Sequence, residues 1–304
     1  MKAIVYRSFG GPEVLELADL PTPKTQQDSV LVRVRAAGLN PADNVIRAGA
    51  LADSMDTFFP VVPGWDFAGV VERAGAGAPE WTPGDEVIGY LREPVLHHGT
   101  YAELVAAPVT AVTRKPANAS WAEAAGLPLA GLTAYQAVVE HLRVTSGETV
   151  LVHGASGGVG SLAAQLAVRS GATVIGTAGL SNHDYLRSVG VTPVAYGDGL
   201  IERVRDVATG GVDAVLDAAG HGALASTAAV GRPGVRAVSI ADASPDATTV
   251  FARHDLPTLK ELVQLVEAGD LTIRVAATYP LRQAAEAQRA LAAGRHSGKI
   301  VLVP

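Results

Sequence analysis

The sequence predicts an α/β chain of two domains, one rich in β-structure and one built on a doubly wound parallel sheet. Three observations carry that expectation. The first third consists of short β-like runs separated by turn residues. From Thr149 onward, strand and helix patterns alternate at the spacing of βαβ units. Where that alternation begins, an apolar strand runs straight into a glycine-rich turn and then a helix, at residues 150–166. A chain of 304 residues has room for about two cores at ~150 residues each.

The elements follow in chain order. Residues 30–36 alternate large apolar and other residues over their latter part, and 70–72 and 86–88 are short β-like runs. Pro63-Gly64, Gly75-Ala76-Gly77 and Pro83-Gly84-Asp85 supply turns between them. Residues 121–142 are Ala/Leu-rich and mainly helical. Then come a strand at 149–153, a helix at 158–170, a strand at 173–177 and a helix at 182–189. A short strand at 193–196, a helix at 201–208 and strands at 212–216 and 235–240 continue the alternation. Helices at 257–268 and 281–293 precede a closing strand at 299–303.

Composition excludes several classes. Hydrophobic residues make up 48% and charged residues 18%, which is a globular balance rather than a disordered one. The net charge of −6 and the lack of any Lys/Arg run leave no electrostatic footprint for nucleic acid or a membrane surface. Apolar runs are broken well before the ~18 residues of a transmembrane helix. The start, Met1-Lys2-Ala3-Ile4-Val5-Tyr6-Arg7, enters a strand pattern directly, so a cytoplasmic protein is expected. The chain has no cysteine, which removes disulfides, thiol catalysis and Cys-based zinc sites.

The segment Val150-Leu151-Val152-His153-Gly154-Ala155-Ser156-Gly157-Gly158-Val159-Gly160 has the context of a dinucleotide fingerprint. Aligned to G-x-G-x-x-G, Ala155 stands at the first glycine, Gly157 at the second and Gly160 at the third. The second lets backbone approach a pyrophosphate and the third lets helix and strand pack closely. The pyrophosphate would sit on the helix N-terminus, with Ser156, Gly158 and Val159 completing the turn. An NAD-type site places a carboxylate about twenty residues on, near the end of the next strand. That place holds Thr177-Ala178-Gly179 and no acid, which favours NADPH. Ser181, Asn182 and His183, with Arg187 beyond, are candidates for its extra phosphate, and Gly179 is a further cofactor-binding candidate. Ser181 or Asn182 also suits a helix cap.

Seven segments, in order, resemble one family. They are Ala37-Gly38-Leu39-Asn40-Pro41-Ala42-Asp43, Val62-Pro63-Gly64-Trp65-Asp66-Phe67-Ala68-Gly69, Pro83-Gly84-Asp85-Glu86-Val87 and Gly99-Thr100-Tyr101-Ala102-Glu103. Ala130-Gly131-Leu132-Thr133-Ala134-Tyr135, the run from His153 to Gly160 and Ser297-Gly298-Lys299-Ile300-Val301 complete the set. Over nearly its whole length the chain resembles the zinc-free medium-chain dehydrogenase/reductases, specifically the quinone oxidoreductase (zeta-crystallin-like) group. The resemblance implies a GroES-like β-rich catalytic domain from residues 1–117 and 262–304. It implies a Rossmann NADP-binding domain from 118–261, with the nicotinamide in a cleft separating the two.

Zinc-dependent relatives carry Cys where Asn40 stands and Gly-His-Glu where Gly64-Trp65-Asp66 stands. A catalytic zinc needs about three N, O or S ligands. Here the Cys is absent and the His is Trp65. His97 and His98 are adjacent, so their side chains are expected to diverge on a loop. Without a Lewis acid, reduction of an already electrophilic acceptor is expected, namely NADPH-dependent hydride transfer to a quinone or other conjugated carbonyl. Catalysis would then rest on positioning and on donors at the developing oxyanion.

The resemblance places Asn40 near nicotinamide and substrate, with Asp43 and Arg47 nearby. Asn40 would donate to the acceptor oxygen, or would form an Asn-Pro turn. Arg47 would orient substrate or pair with Asp43. Relatives often carry Tyr where Val45 stands. Thr133 resembles the residue on the nicotinamide carboxamide. Tyr196 and Arg295 resemble groups near a cofactor phosphate, and Ala219, Ser239, Ile240 and Ala241 match the cofactor-facing ends of two strands. Trp65, Trp81 and Trp121 are read as packing residues, Trp65 alone near the pocket. Phe251 is read as core, or as a neighbour of the cofactor cleft.

Alternatives stay open. A 2-enone or enoyl-thioester (2-ene) reductase would use the same cofactor site. An NADPH-binding protein with little turnover is a different class. Residues 50–59 hold two Asp and no Lys or Arg, which disfavours docking of an acyl carrier there. The segment 90–98 is expected to line or cap the pocket. Tyr101, Tyr135, Asp43 and solvent are the candidate proton donors. The resemblance also implies a homodimer, paired through the sheet edge at 235–251.

Overall fold

In chain order the strands are β1 (Lys2–Val5), β2 (Glu16–Asp19), β3 (Ser29–Gly38), β4 (Asp66–Ala74), β5 (Glu86–Tyr90), β6 (Leu104–Pro108) and β7 (Val112–Arg114). Then come β8 (Thr149–His153), β9 (Thr173–Ala178), β10 (Thr192–Ala195), β11 (Val212–Asp217), β12 (Gly231–Ser239), β13 (Thr248–Thr249), β14 (Val275–Pro280) and β15 (Lys299–Val303). The helices are α1 (Pro41–Arg47), α2 (Trp121–Ala125), α3 (Pro128–Tyr135), α4 (Gly158–Arg169), α5 (His183–Ser188), α6 (Leu200–Val207), α7 (Thr227–Val230), α8 (Leu256–Ala268) and α9 (Ala284–Ala292). This computed structural model describes residues 1–304. No helix is long and apolar enough to cross a membrane.

Two units emerge. Unit 1 is Met1–Leu129, His254–Glu267 and Ile273–Pro304, and unit 2 is Ala130–Arg253 with Ala268–Thr272. The first division falls after Leu129 rather than after Ala117, because α2 packs on β3 and β4. Asn118 also donates its Nδ2 to the Val266 carbonyl at 2.9 Å. The chain rejoins unit 1 at His254 rather than at 262, since the His254 ring lies 4.9 Å from that of Tyr90.

Unit 1 holds the antiparallel pair β1-β2 and a seven-stranded sheet in the order β14-β15-β3-β4-β5-β7, with β6 also paired to β3. Its pairs are antiparallel except β14 with β15. Inward residues such as Val30, Val32, Val34, Phe67 and Val87 form its core with Leu281 and Ala287 from the α9 segment. The closing strand β15 thus sits between β14 and β3, deep in the sheet.

Unit 2 is a six-stranded parallel sheet in the order β10-β9-β8-β11-β12-β13. Strand β11 is buried at nearly every position, as a strand covered on both faces must be. Strand order reverses beside β8, and ligands of such sheets bind at the carboxyl ends of strands at that point. Strands β13 and β14 were not expected from the sequence. Helix α5 begins at His183, after a 3₁₀ turn over Leu180–Asn182. Asn182 stands at the N-cap of this helix, but its side chain makes no capping hydrogen bond. The helical stretch 121–142 divides into α2, α3 and a π-turn at Gln136–His141.

Candidate active site

The glycine-rich turn of unit 2 lies at the reversal of strand order. Gly154 has φ +68°, a left-handed conformation that favours glycine, so the tight turn sits one residue before Ala155. The turn is held by β9: Gly154 donates its N–H to Thr177 Oγ1 at 3.1 Å and Ala155 to the Thr177 carbonyl at 3.0 Å. The alanine at the first fingerprint position fits because residue 176 is glycine. A Cβ there would lie 2.7 Å from the Ala155 Cβ.

Gly160 is the closest approach: a Cβ would fall 2.2 Å from the Gly154 carbonyl oxygen. At Gly157 the same oxygen would be 3.2 Å away, so this position guards open space rather than packing. Helix α4 begins with no side-chain cap, leaving first-turn N–H groups for an anion. These residues fit the pyrophosphate of a dinucleotide.

The remaining unit 2 candidates fall into two groups. Tyr196 is exposed, and its ring edge lies beside Gly179: a Cβ at 179 would be 3.8 Å from Tyr196 Oη. Arg203, which sequence reasoning missed, braces this loop by donating to the carbonyls of Ala195 at 3.0 Å and Asp198 at 2.8 Å. Ser181 is exposed and Asn182 half-buried. Arg187 is paired with Asp184 at 2.7 Å, so it does not stand free for a phosphate. Ser239 is fully buried: it donates to Asp217 Oδ2 at 3.0 Å and accepts from the N–H groups of Ala241 and Asp242. Its side chain shapes the end of β12, beside half-exposed Ile240 and exposed Ala241.

Asp217 likewise accepts from the N–H groups of Ala219 and Gly220, which fixes the turn after β11. Thr133 is buried on α3. Arg295 is exposed and lies in unit 1, in a groove with Arg274, His296 and Ser297. Phe251 is 78% exposed, against the expectation of a core position, because it follows β13 in an irregular stretch.

In unit 1 the Asn40 motif forms the N-terminus of α1. Asn40 is its N-cap with extended backbone, Pro41 opens the helix, and the Asn40 N–H donates to Asp43 Oδ2 at 2.8 Å. The Asn40 amide is enclosed. Its Nδ2 donates to Asp66 Oδ2 at 2.9 Å, and its Oδ1 accepts from Lys299 Nζ. Lys299 also donates to the Leu39 carbonyl at 2.8 Å and lies 3.6 Å from Asp66 Oδ2. Asp66 Oδ1 accepts the Leu129 N–H at 2.9 Å. Asp43 takes a further bond from Tyr101 Oη at 2.8 Å. All five polar side chains are buried.

One ammonium faces two carboxyls in this cluster, and burial dominates its electrostatics. Burial pushes Asp43 up to about 7, against the pull of its hydrogen bonds from Asn40 and Tyr101. Burial also raises Asp66, opposed by Lys299, and lowers Lys299, opposed by Asp66. The Tyr101 phenol is held well above its ordinary value by burial and by Asp43. It is a donor to Asp43 with no exposed surface.

Arg47 does not pair with Asp43. It donates to Gln288 Oε1 at 2.6 Å and to the Gly10 carbonyl, because α9 and the 8–11 loop close over it. Val45 is exposed. Asp43 also lines a water-sized pocket with Tyr6, Ile46, Trp65, Leu96, His97 and His98. Trp65 there stands edge-on to Tyr90, whereas Trp81 and Trp121 lie under Arg114 and Lys115. The His97 and His98 rings do not diverge: their centroids are 4.0 Å apart, with His97 Nδ1 2.7 Å from the Phe58 carbonyl.

Lys299 and Asp66 are the site residues that sequence reasoning left unassigned. Both lie in segments that carry the family resemblance, Asp66 after Pro63-Gly64-Trp65 and Lys299 before the apolar run Ile300-Val301-Leu302-Val303, but no role was read for either.

Residues 26–117 match the model of the alcohol dehydrogenase GroES-like domain, and residues 190–302 match that of a zinc-binding dehydrogenase. The zinc in that description does not fit this chain: Asn40 and Asp66 close on an ammonium, and no three His, Cys, Asp or Glu side chains are grouped to hold a metal. An Arabidopsis thaliana NADPH-dependent alkenal/one oxidoreductase of the chloroplast is 33% identical, over 100% of this chain and 80% of its own length. The solved structure of the Coxiella burnetii quinone oxidoreductase superposes with TM-score 0.85 at 31% identity, covering 100% of this chain and 99% of that one. That of an NAD-dependent alcohol dehydrogenase gives 0.91 at 33% identity, with full coverage of both chains.

Proposed function

The chain belongs to the medium-chain dehydrogenase/reductase family, in its quinone oxidoreductase-type group, and from that premise we propose that it is an NADPH-dependent reductase of conjugated carbonyls. The observation that carries this reading is the glycine cradle at the strand-order reversal of unit 2, where a Cβ at residue 160 would strike the Gly154 carbonyl. Gly157, Gly158, Val159 and Gly160 would hold the pyrophosphate, and Thr133 the carboxamide. Gly179, Ser181 and Tyr196 would meet the adenosine end, and Arg295 a phosphate. The end of β9 carries no carboxylate to repel a 2′-phosphate, which supports NADPH over NADH. When bound, the nicotinamide supplies the hydride.

The residues of this chain orient the acceptor and move a proton. Asn40 donates a hydrogen bond to the acceptor oxygen, whose negative charge grows as the hydride arrives. Asp43, titrating near neutrality and lining a pocket, supplies or relays the proton that completes the reduction. Tyr101 holds Asp43 in place. Arg47 is a structural residue of α1, clamped by Gln288.

The alkenal/one oxidoreductase, matched over the whole of this chain and 80% of its own length, favours 2-enone reduction as the second reading, alongside the quinone reading. The edge strand β13 is the surface through which a homodimer would pair. NADPH consumption, compared for an ortho-quinone and an acyclic 2-enone as kcat/KM, tests the reading. A preference for either acceptor assigns the substrate class. NADPH binding without turnover of either would move the weight to another conjugated carbonyl or to a binding role.

A further inference from the structure

We propose that Lys299 is the positioning residue for Asn40: its ammonium, carried on the closing strand β15, fixes the Asn40 amide in the orientation that leaves one Nδ2–H for the acceptor oxygen. The proposal rests on the reading of Asn40 as that oxygen's donor. A side-chain amide has two orientations that exchange oxygen and nitrogen. Here a cation stands at one end and a carboxylate at the other. Asn40 Oδ1 accepts from Lys299 Nζ, and Asn40 Nδ2 donates to Asp66 Oδ2 at 2.9 Å. The flipped amide would set its NH₂ against the ammonium and its oxygen against the carboxyl, so one orientation survives.

The rest of the assembly fixes the two partners. Lys299 binds the carbonyl of Leu39, the residue before Asn40, at 2.8 Å, so one ammonium holds backbone and side chain of consecutive residues. Asp66 is held on its other oxygen by the Leu129 N–H at 2.9 Å. The Asn40 N–H is spent on Asp43. Of Asn40's donors, only the second Nδ2–H has no assigned acceptor. The ammonium on Oδ1 also draws density out of the amide, which strengthens that last donor. A donor fixed before the reaction loses nothing to reorientation as charge develops.

Four proteins test this: Asn40→Ala, Lys299→Arg, the neutral pair Lys299→Met with Asp66→Asn, and that pair combined with Asn40→Ala. The neutral pair removes both charges of the Lys299–Asp66 contact together, so neither of these two partners is left as an unpaired buried charge. Asn40→Ala is expected to lower kcat about 10²-fold, the effect of losing one oxyanion donor. The neutral pair should lower kcat at least tenfold, with NADPH affinity from cofactor fluorescence unchanged. Adding Asn40→Ala to it should bring kcat no lower than Asn40→Ala alone, because both act through one amide. Lys299→Arg should restore most of kcat.

Losses that multiply, or a neutral pair with full kcat, overturn the positioning role while the donor reading stands. Wild-type kcat in Asn40→Ala overturns the donor reading and the proposal with it. An asparagine-labelled ¹⁵N spectrum reads the same event without substrate. The Asn40 side-chain signals should shift in the neutral pair and stay near their place in Lys299→Arg, and signals unmoved in the neutral pair count against the proposal.

Discussion

Asp43 illustrates how much one carboxyl can record of its surroundings. Unfolded, it titrates near the ordinary ~4; in the fold, burial pushes it up to about 7. Between those values the unfolded chain is ionised there and the folded chain keeps its proton. Its stabilising contribution is therefore complete below about pH 4, falls as pH rises, and is gone above about pH 7. The slope is at most about 1.4 kcal/mol per pH unit. Asp43→Asn keeps an oxygen for the Asn40 N–H and the Tyr101 hydroxyl and removes the titration. Its Tm relative to the parent should climb between pH 4 and 7 and then level. Parallel Tm curves would mean that Asp43 stays ionised throughout. At this scale the sequence was a partial guide. Asn40 and Asp43 stand out by their motif, and the structure sets them in one cluster. Lys299 could not be paired with Asn40, because 259 residues separate them and the register of β15 against β3 decides the meeting. Arg47 found Gln288 for the same reason, across 241 residues.

Among the elements, the β8–turn–α4 unit was the most legible, because its constraints are local. Its glycines nevertheless do different work. Gly160→Ala forces a methyl against backbone atoms of Gly154, the nearest 2.2 Å away, so α4 must shift from β8. Overpacking of this kind costs about 1–3 kcal/mol. Gly157→Ala meets only the Gly154 oxygen, at 3.2 Å, so its methyl projects toward where a pyrophosphate would lie. The expected outcome is a lowered Tm for Gly160→Ala, and weaker NADPH binding at near-parental Tm for Gly157→Ala. Calorimetry with cofactor titration separates the two, and a destabilised Gly157→Ala would remove the distinction. Two strands that escaped the sequence lie at sheet edges. Strand β13 has two residues, and β14 alternates small and half-exposed side chains, so neither has an apolar period to read.

At the scale of the molecule, the alternation of strand and helix announced the parallel sheet, and turn-separated strands the antiparallel one. The limits of the units were less legible. They depend on single long-range contacts such as Asn118 with Val266 and His254 with Arg92. The placing of β15 inside the unit 1 sheet has a consequence in time. A ribosome makes the chain from its amino end, and every strand of unit 2 emerges before β15 does. Nearly the whole parallel sheet can therefore mature on the ribosome, while the antiparallel one waits for residues 299–303 to clear the exit tunnel. A stalled chain ending at Gly298 should resist protease across unit 2 and be cleaved throughout residues 29–114. Equal protection of both would show that the antiparallel sheet does not need its late strand. Since Lys299 arrives with that strand, the Asn40 amide gains its cation only after every strand of unit 2 has been made.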